Sequence, residues 1–356
     1  MNFDHVEKIA EAVLYEGYML YPYRPSSVKN QQRWNFGVLS PRSWFEHERG
    51  SDAWTMQTEC LVKTNDSARL TVKVRFLQIV QRTVGRLRSP AAEIPEGTAP
   101  EFDLVDRLDV DGRIFQPWQE AIEHDYTSAA MTPDFLAEQP QAVLVFPGGR
   151  EMEYLRDQQG RAIGVAVRTW QALDGLVEFD ACPVETTIAG AEVHKITVRI
   201  SNLTLCTTSS VVNREAVLPL SLASAHTILG IEDGEFISLL DPPAEYQSAT
   251  ATCSNAGTWP VLAGDANEIM LSSPIILYDH PQIAAESGGN LFDATEIDEI
   301  LSLRILTLTD DEKREMRQSD QRAREILERT ETMPPEQFMK LHGVLRGLQP
   351  GSRGAP

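Results

Sequence analysis

The chain has 356 residues, enough for one large or two ordinary domains, and 42% hydrophobic residues to build a core. Its 32 Lys+Arg against 52 Asp+Glu leave a net charge of −20. That balance repels phosphate and excludes the chain as a general nucleic-acid binder. The start, MNFDHVEKIAEAVLYEG, lacks the basic onset and unbroken apolar stretch of a secretory signal, and the longest apolar runs, such as AVLVF at 142–146, are strand-length. A cytoplasmic protein with no membrane partner is expected.

The first element is predicted to be an amphipathic helix, because Phe3, Val6, Ile9, Ala10, Val13 and Leu14 share one face and Gly17 supplies a stop. An aromatic, basic island follows at 20–34, LYPYRPSSVKNQQRW, with Pro22 and Pro25 favouring extended backbone. Residues 54–64 and 70–80 read as a hairpin about Asn65-Asp66-Ser67. In its second strand Leu70, Val72, Val74 and Phe76 alternate with Thr71, Lys73 and Arg75, one face apolar and the other basic. Leu77 and Ile79 break that phase, which suggests a bulge or a strand end.

Residues 88–102 read as a loop or linker, 108–115 as a hairpin around Asp111-Gly112, and 118–124 as a short helix. From 141 onward short strands punctuated by Pro147-Gly148-Gly149 and Gln158-Gln159-Gly160 dominate, with no repeat period. After 290 the pattern turns helical. Thr309 and Glu312 have the spacing of a capping box, 321–329 continues as helix, and Pro334-Pro335 opens another. The expected fold class is α+β: a β-rich antiparallel sandwich or open barrel with an N-terminal helix and a helical C-terminal region. Three regions follow, 1–90, 103–275 and 290–348, compatible with one continuous unit.

Charge is unevenly placed along this order. Residues 19–90 hold 12 Lys/Arg and 5 Asp/Glu, whereas 91–356 hold 19 against 43. The island therefore stands out as a contact surface: Tyr21, Tyr23 and Trp34 are amphipathic aromatics, and Arg24, Lys29, Asn30 and Arg33 are donors. The alternative is strand core with a cationic rim paired to the chain's own acidic residues.

Signatures of chemistry are weak. Ser26 and Lys29 fit S-x-x-K, but the S-D-N and K-T-G elements that accompany it in acyl-transfer enzymes are missing. Asp109-Val110-Asp111-Gly112 resembles the middle of a calcium loop, yet Arg107 and Trp118 occupy the ligand positions on either side, so a turn fits better. Asp279, His280, Glu286, Asp293, Glu296, Asp298 and Glu299 form the best metal candidate, although carboxylates in a first helical turn are favoured by the dipole alone. The other histidines, His5, His47, His124, His194, His226 and His342, are scattered. Cys60, Cys182, Cys206 and Cys253 form no C-x-x-C pair and are expected reduced and buried. No nucleotide-binding glycine motif is present, and no cofactor is expected.

Three stretches carry a family resemblance: VLYEGYMLYPYRPSSVKNQQRWNFGVL at 13–39, SSPIILYDHPQIAAESGGNLFDATEIDEILSLRILTLTDDEKREM at 272–316, and the closing RAREILERTE…LHG. Together they resemble uncharacterised bacterial proteins encoded among NiFe-hydrogenase genes. The resemblance implies a place in hydrogenase biogenesis and transfers no residue-level role. The chain has no GTPase P-loop, histidine-rich nickel store or paired-cysteine motif. The expected function is a non-catalytic accessory or scaffold protein that binds a protein partner, a hydrogenase subunit or assembly factor, through Tyr21, Tyr23, Arg24, Lys29, Asn30, Arg33 and Trp34. Self-association is compatible with this reading. The alternative is an enzyme or metal-handling protein with a site of dispersed residues near Asp279–Glu299.

Overall fold

The computed structural model describes residues 3–14, 36–48, 52–94, 100–185, 192–206, 213–264, 266–281, 308–319 and 321–332. They divide into two units, the first holding everything through residue 281 and the second the two last helices.

The first unit is built from antiparallel sheet, and neither sheet closes into a barrel. One sheet has five strands in the order β13 (Glu235–Ile237), β1 (Thr55–Thr64), β11 (Glu192–Asn202), β10 (Leu173–Pro183) and β7 (Gln141–Phe146). The other is organised on β2 (Arg69–Ala91) in the order β14 (Trp259–Ala263), β15 (Ile269–Ser273), β12 (Ala223–Glu232), β2, β9 (Ala162–Trp170) and β8 (Gly149–Arg156). Strands β3 (Phe102–Leu104) and β6 (Trp118–Thr127) pair with β2 off that path. Met56, Cys60 and Val62 of the first sheet and Leu70, Val72, Val74 and Phe76 of the second enter one buried cluster, so the sheets stack with the apolar side of each alternation inward.

The expected hairpin at 54–80 is corrected here. β1 and β2 do not pair; they enter different sheets, and the Asn65 turn carries the chain from one layer to the other. Asn65 Oδ1 accepts from Ser67 N at 2.9 Å and Ser67 Oγ at 2.7 Å, which fixes that corner. Two apolar faces joined by a short turn can pair edge to edge or face each other across a core, and alternation alone does not distinguish the two.

β2 does not end at the break in phase. It runs 23 residues, to Ala91, into the start of the region read as a linker, and it pairs with strands of 103–275, so the described parts of 1–90 and 103–275 belong to one unit. Along one edge it pairs with β12 over Arg69–Leu77 and then with β9 from Val80 onward, while β6 takes the opposite edge over Lys73–Arg82. Both faces are covered at this handover, and Arg75 to Val80 are buried without alternation.

The segment read as a short helix at 118–124 is instead β6; ten cross-strand pairs with β2 override its Glu- and Ala-rich helix propensity. The hairpin of β4 (Leu108–Val110) and β5 (Arg113–Phe115) turns on Asp111 and Gly112, both at positive φ (53° and 82°). Asp109 Oδ1 accepts from Gly112 N at 2.8 Å within the turn, and Asp111 accepts from Gln158 N at 2.5 Å, which ties this hairpin to the distant turn at Asp157–Gly160. Gly149 is required by packing: a Cβ there would lie 2.4 Å from the Trp170 ring.

Helix α1 (Asp4–Leu14) lies on the outer face of the larger sheet, where Phe3, Val6, Ile9, Ala10 and Val13 bury against Ile228, Val261, Ala263, Ile269 and Leu271. Short helices α2 (Arg42–Glu48), α3 (Pro133–Ala137), α4 (Arg214–Val217) and α5 (Gln247–Thr250) fill corners.

The second unit comprises α6 (Asp310–Ser319) and α7 (Gln321–Thr332). Thr309 N donates to Glu312 Oε2 at 2.7 Å and Glu312 N to Thr309 Oγ1 at 3.3 Å, the reciprocal pair of a capping box. Lys313 and Arg317 of α6 both pair with Glu331 of α7. The rest of the helical expectation, 290–307 and 333–348, lies outside the described residues.

Candidate functional site

The contact-surface residues Tyr21, Tyr23, Arg24, Lys29, Asn30, Arg33 and Trp34 lie outside the described residues, as do Ser26, Glu286, Asp293, Glu296, Asp298 and Glu299. The ends of the segment that carries the island are described, and both are held by one residue of β12. Ser224 Oγ donates to the Val13 carbonyl at 3.1 Å, satisfying an orphan carbonyl in the last turn of α1. Ser224 N donates to the Phe36 carbonyl at 3.2 Å, and Ala225 N to Gly37 at 2.9 Å. The described residues on either side of 15–35 are therefore anchored to the same point of β12. Gly37, at φ 54°, cannot be replaced without collision, because its Cβ would sit 2.8 Å from the Pro274 ring.

Ser224 itself is strained, a non-glycine residue at φ 53°. It occupies a bulge: Ala223 pairs with Leu77 and His226 with Arg75, three steps on β12 against two on β2. The bulge carbonyl turns toward the next histidine, and Ser224 O accepts from His226 Nδ1 at 2.9 Å. A carbonyl only accepts, so Nδ1 carries the proton and Nε2 presents a lone pair. Burial, with the Arg75 charge assisting and the Ser224 carbonyl opposing, pushes the His226 pKa down to about 4, and the ring is neutral near pH 7.

His226 is 0% exposed and Arg75 8%, and they face each other on adjacent strands. His226 Nε2 and Arg75 Nη1 are both buried without a hydrogen-bond partner. Such orphans are rare, since each costs about 1–3 kcal/mol. Around them Arg75 Nη2 meets Glu123 at 3.6 Å, and Lys73 Nζ meets Glu7 of α1 at 2.6 Å and Asp125 of β6 at 3.8 Å.

The basic face of β2 is thus neutralised within the molecule and is not a free cationic surface. Arg82 shows the same pattern: Glu120 binds Arg82 and Arg168, each at 2.7 Å, and Arg168 reaches Glu153 at 2.9 Å.

Of the metal candidate, Asp279 and His280 are the described residues, and both are bonded within the fold. Asp279 accepts from Leu262 N at 2.8 Å and Ser238 Oγ at 2.5 Å. The Gly264 carbonyl accepts from His280 Nδ1 at 3.0 Å, which fixes the histidine's tautomer. Among the described residues no three His, Cys, Asp or Glu side chains are grouped to hold a metal. His124 bonds Gln78 and His194 bonds Thr64, so these histidines do not converge on one point.

Only Cys60 is buried; Cys182 is exposed, and Cys206 and Cys253 are intermediate, against the expectation that all four are interior. Burial, Cys253 and Glu59 raise the Cys60 pKa. Burial and Glu59 push Cys253 up to about 11, and burial and Asp180 raise Cys182. None of these three is an activated thiolate. A cleft of about 430 Å³ at one end of the sandwich is lined by Lys63, Asn65, Asp233, Glu235, Asn267 and Glu268.

Comparison with protein-family models and with curated proteins finds no match to this chain. The described site residues are Ser224, His226 and Arg75. Their signal in the sequence is slight: a histidine and two serines within the apolar run LSLASAHTILGI at 220–231.

Proposed function

We propose that this chain is a non-catalytic accessory or scaffold protein that binds a protein partner through Tyr21, Tyr23, Arg24, Lys29, Asn30, Arg33 and Trp34. The observation that carries the reading is that both ends of the segment bearing these side chains are bonded to Ser224, so a rigid sheet holds its attachment points. Lys73, Arg75 and Arg82 of β2 are paired with carboxylates of the chain itself, so β2 adds no free cationic surface to this reading. Of the alternative near Asp279–Glu299, the described residues Asp279 and His280 are both bonded within the fold. The likeness of 13–39 and 272–316 to proteins encoded beside NiFe-hydrogenase genes makes a hydrogenase subunit or assembly factor the partner, acting in the cytoplasm. No helix among the described residues is long and apolar enough to cross a membrane.

The test is co-purification from the native host with Arg24 and Arg33 both changed to Glu. The expected result is loss of the partner with the thermal midpoint of the protein unchanged. Retention of the partner overturns the surface assignment, and unfolding of the variant shows that the island is packed structure instead.

A further inference from the structure

The end strands of the two sheets differ in how they are protected from pairing. β13 is three residues long, and β14 carries Pro260 and is bonded at Leu262 by Asp279 and His280. β8 holds four charged residues, Arg150, Glu151, Glu153 and Arg156. β7 has none of these devices. Its residues, QAVLVF, are uncharged and pair in unbroken register with β10, and Val143 and Val145 are 72% and 67% exposed.

Backbone direction shows what this edge lacks. Residues of an antiparallel strand turn their N–H and C=O to alternate sides. Phe179 N of β10 donates to the Pro140 carbonyl at 3.1 Å, so Pro140, Ala142, Leu144 and Phe146 face β10. Gln141, Val143 and Val145 therefore present their N–H and C=O outward, and no described strand takes them. The group that fits is another extended strand.

The edge suits its own copy. An antiparallel pair centred on Val143 sets Val143 against Val143 of the copy and Gln141 against Val145, which satisfies every outward group of β7. Ala142 then lies beside Leu144 of the copy, small against large. Pro140 and Pro147 bracket the strand, and Pro147 has no N–H to extend the pairing. Exposed Glu138 precedes β7 and exposed Arg150 follows it. Antiparallel pairing brings these opposite charges toward each other at both ends, whereas parallel pairing would set like beside like.

We propose that this chain forms a closed two-fold dimer in which β7 pairs antiparallel with β7 of a second copy, joining the two five-stranded sheets edge to edge. Each copy offers one β7, so the assembly stops at two. The interface uses no residue of the island and does not rest on the partner-binding reading. Both copies carry a net charge of −20, so salt strengthens the contact.

The experiment is sedimentation of the full chain over a wide concentration range, at low and high salt. A monomer–dimer equilibrium that tightens with salt is expected. Val143→Lys places two ammonium groups on the axis and is expected to weaken the dimer about tenfold. The thermal midpoint at low concentration stays unchanged, because Val143 is exposed. Val143→Glu acts alike on its own, and an equal mixture of the two variants restores the dimer, since position 143 faces itself across the axis. Monomer at every concentration, a dimer indifferent to Val143→Lys, a mixture that stays monomeric, or growth beyond two copies overturns the assignment. The wild-type protein and Val143→Glu decide the matter even if Val143→Lys fails to fold.

Discussion

His226 shows how neighbours set the chemical state of a side chain. A histidine in water takes up a proton near pH 6.5, whereas this one is held to about 4 by burial and the Arg75 charge. Between those values the unfolded chain binds a proton that the native ring refuses. Stability is therefore unaffected above about 6.5 and falls as the pH drops through about 4, by roughly 3 kcal/mol for one such group. Burial lowers the His124 pKa in the same direction and adds to the effect. Denaturant unfolding at a series of pH values should show this acid loss, and His226→Asn should flatten it while His124 retains its share. An equally steep profile in the variant would remove His226 as the cause. Asp279 makes the opposite point. Its place in a carboxylate-rich stretch suggested a metal, but a backbone N–H and a hydroxyl occupy its two oxygens. Residue type and spacing reveal capacity for a bond; the partner that takes it comes from elsewhere in the chain.

Among the elements, β2 organises the larger sheet. Its alternation at 70–76 was legible because a period of two is a local property of extended chain, and its apolar face is the one buried. Its continuation to Ala91 was not, because the neighbours on one edge change from β12 to β9 and both faces become covered there. The same strand explains the fate of the basic residues. Glu120 from β6 satisfies Arg82 and Arg168 together, both partly buried. Glu120→Ala should cost about 2 kcal/mol in urea unfolding, more than an exposed pair would, because it strips two guanidinium groups of a shared acceptor. A cost below a few tenths of a kcal/mol would show that water replaces the carboxylate without penalty. The turns were read more securely than the pairings. The Asp109–Gly112 bond and the Thr309/Glu312 pair each act within four residues, so their chemistry is complete in the local sequence. The Asn65 turn was located correctly, but its strands were assigned to the wrong partners.

At the scale of the molecule, the two sheets act as one cooperative body because their inner faces share a core. Phe76 of β2 meets Phe146 of β7, on the opposite sheet, edge to face at 5.1 Å. It is fully buried. Phe76→Ala should lower stability by about 3–5 kcal/mol. Far- and near-ultraviolet circular dichroism should lose signal at the same denaturant concentration, since residues of both layers enter one shared central core. Separate transitions would mean that the layers fold independently. Composition, charge segregation, the amphipathic face of α1, the alternating strands and the turn residues could all be taken from the amino-acid order, because each depends on interactions within a few residues. Which strands pair, which carboxylates neutralise the cations of β2, and why a histidine in an apolar run keeps an unused lone pair depended on segments brought together from distant parts of the chain. The island was conspicuous from its charge and aromatic content alone. That Val13 and Phe36, on either side of it in the sequence, both bond Ser224, next to His226, is a matter of long-range hydrogen bonding, which no local pattern encodes.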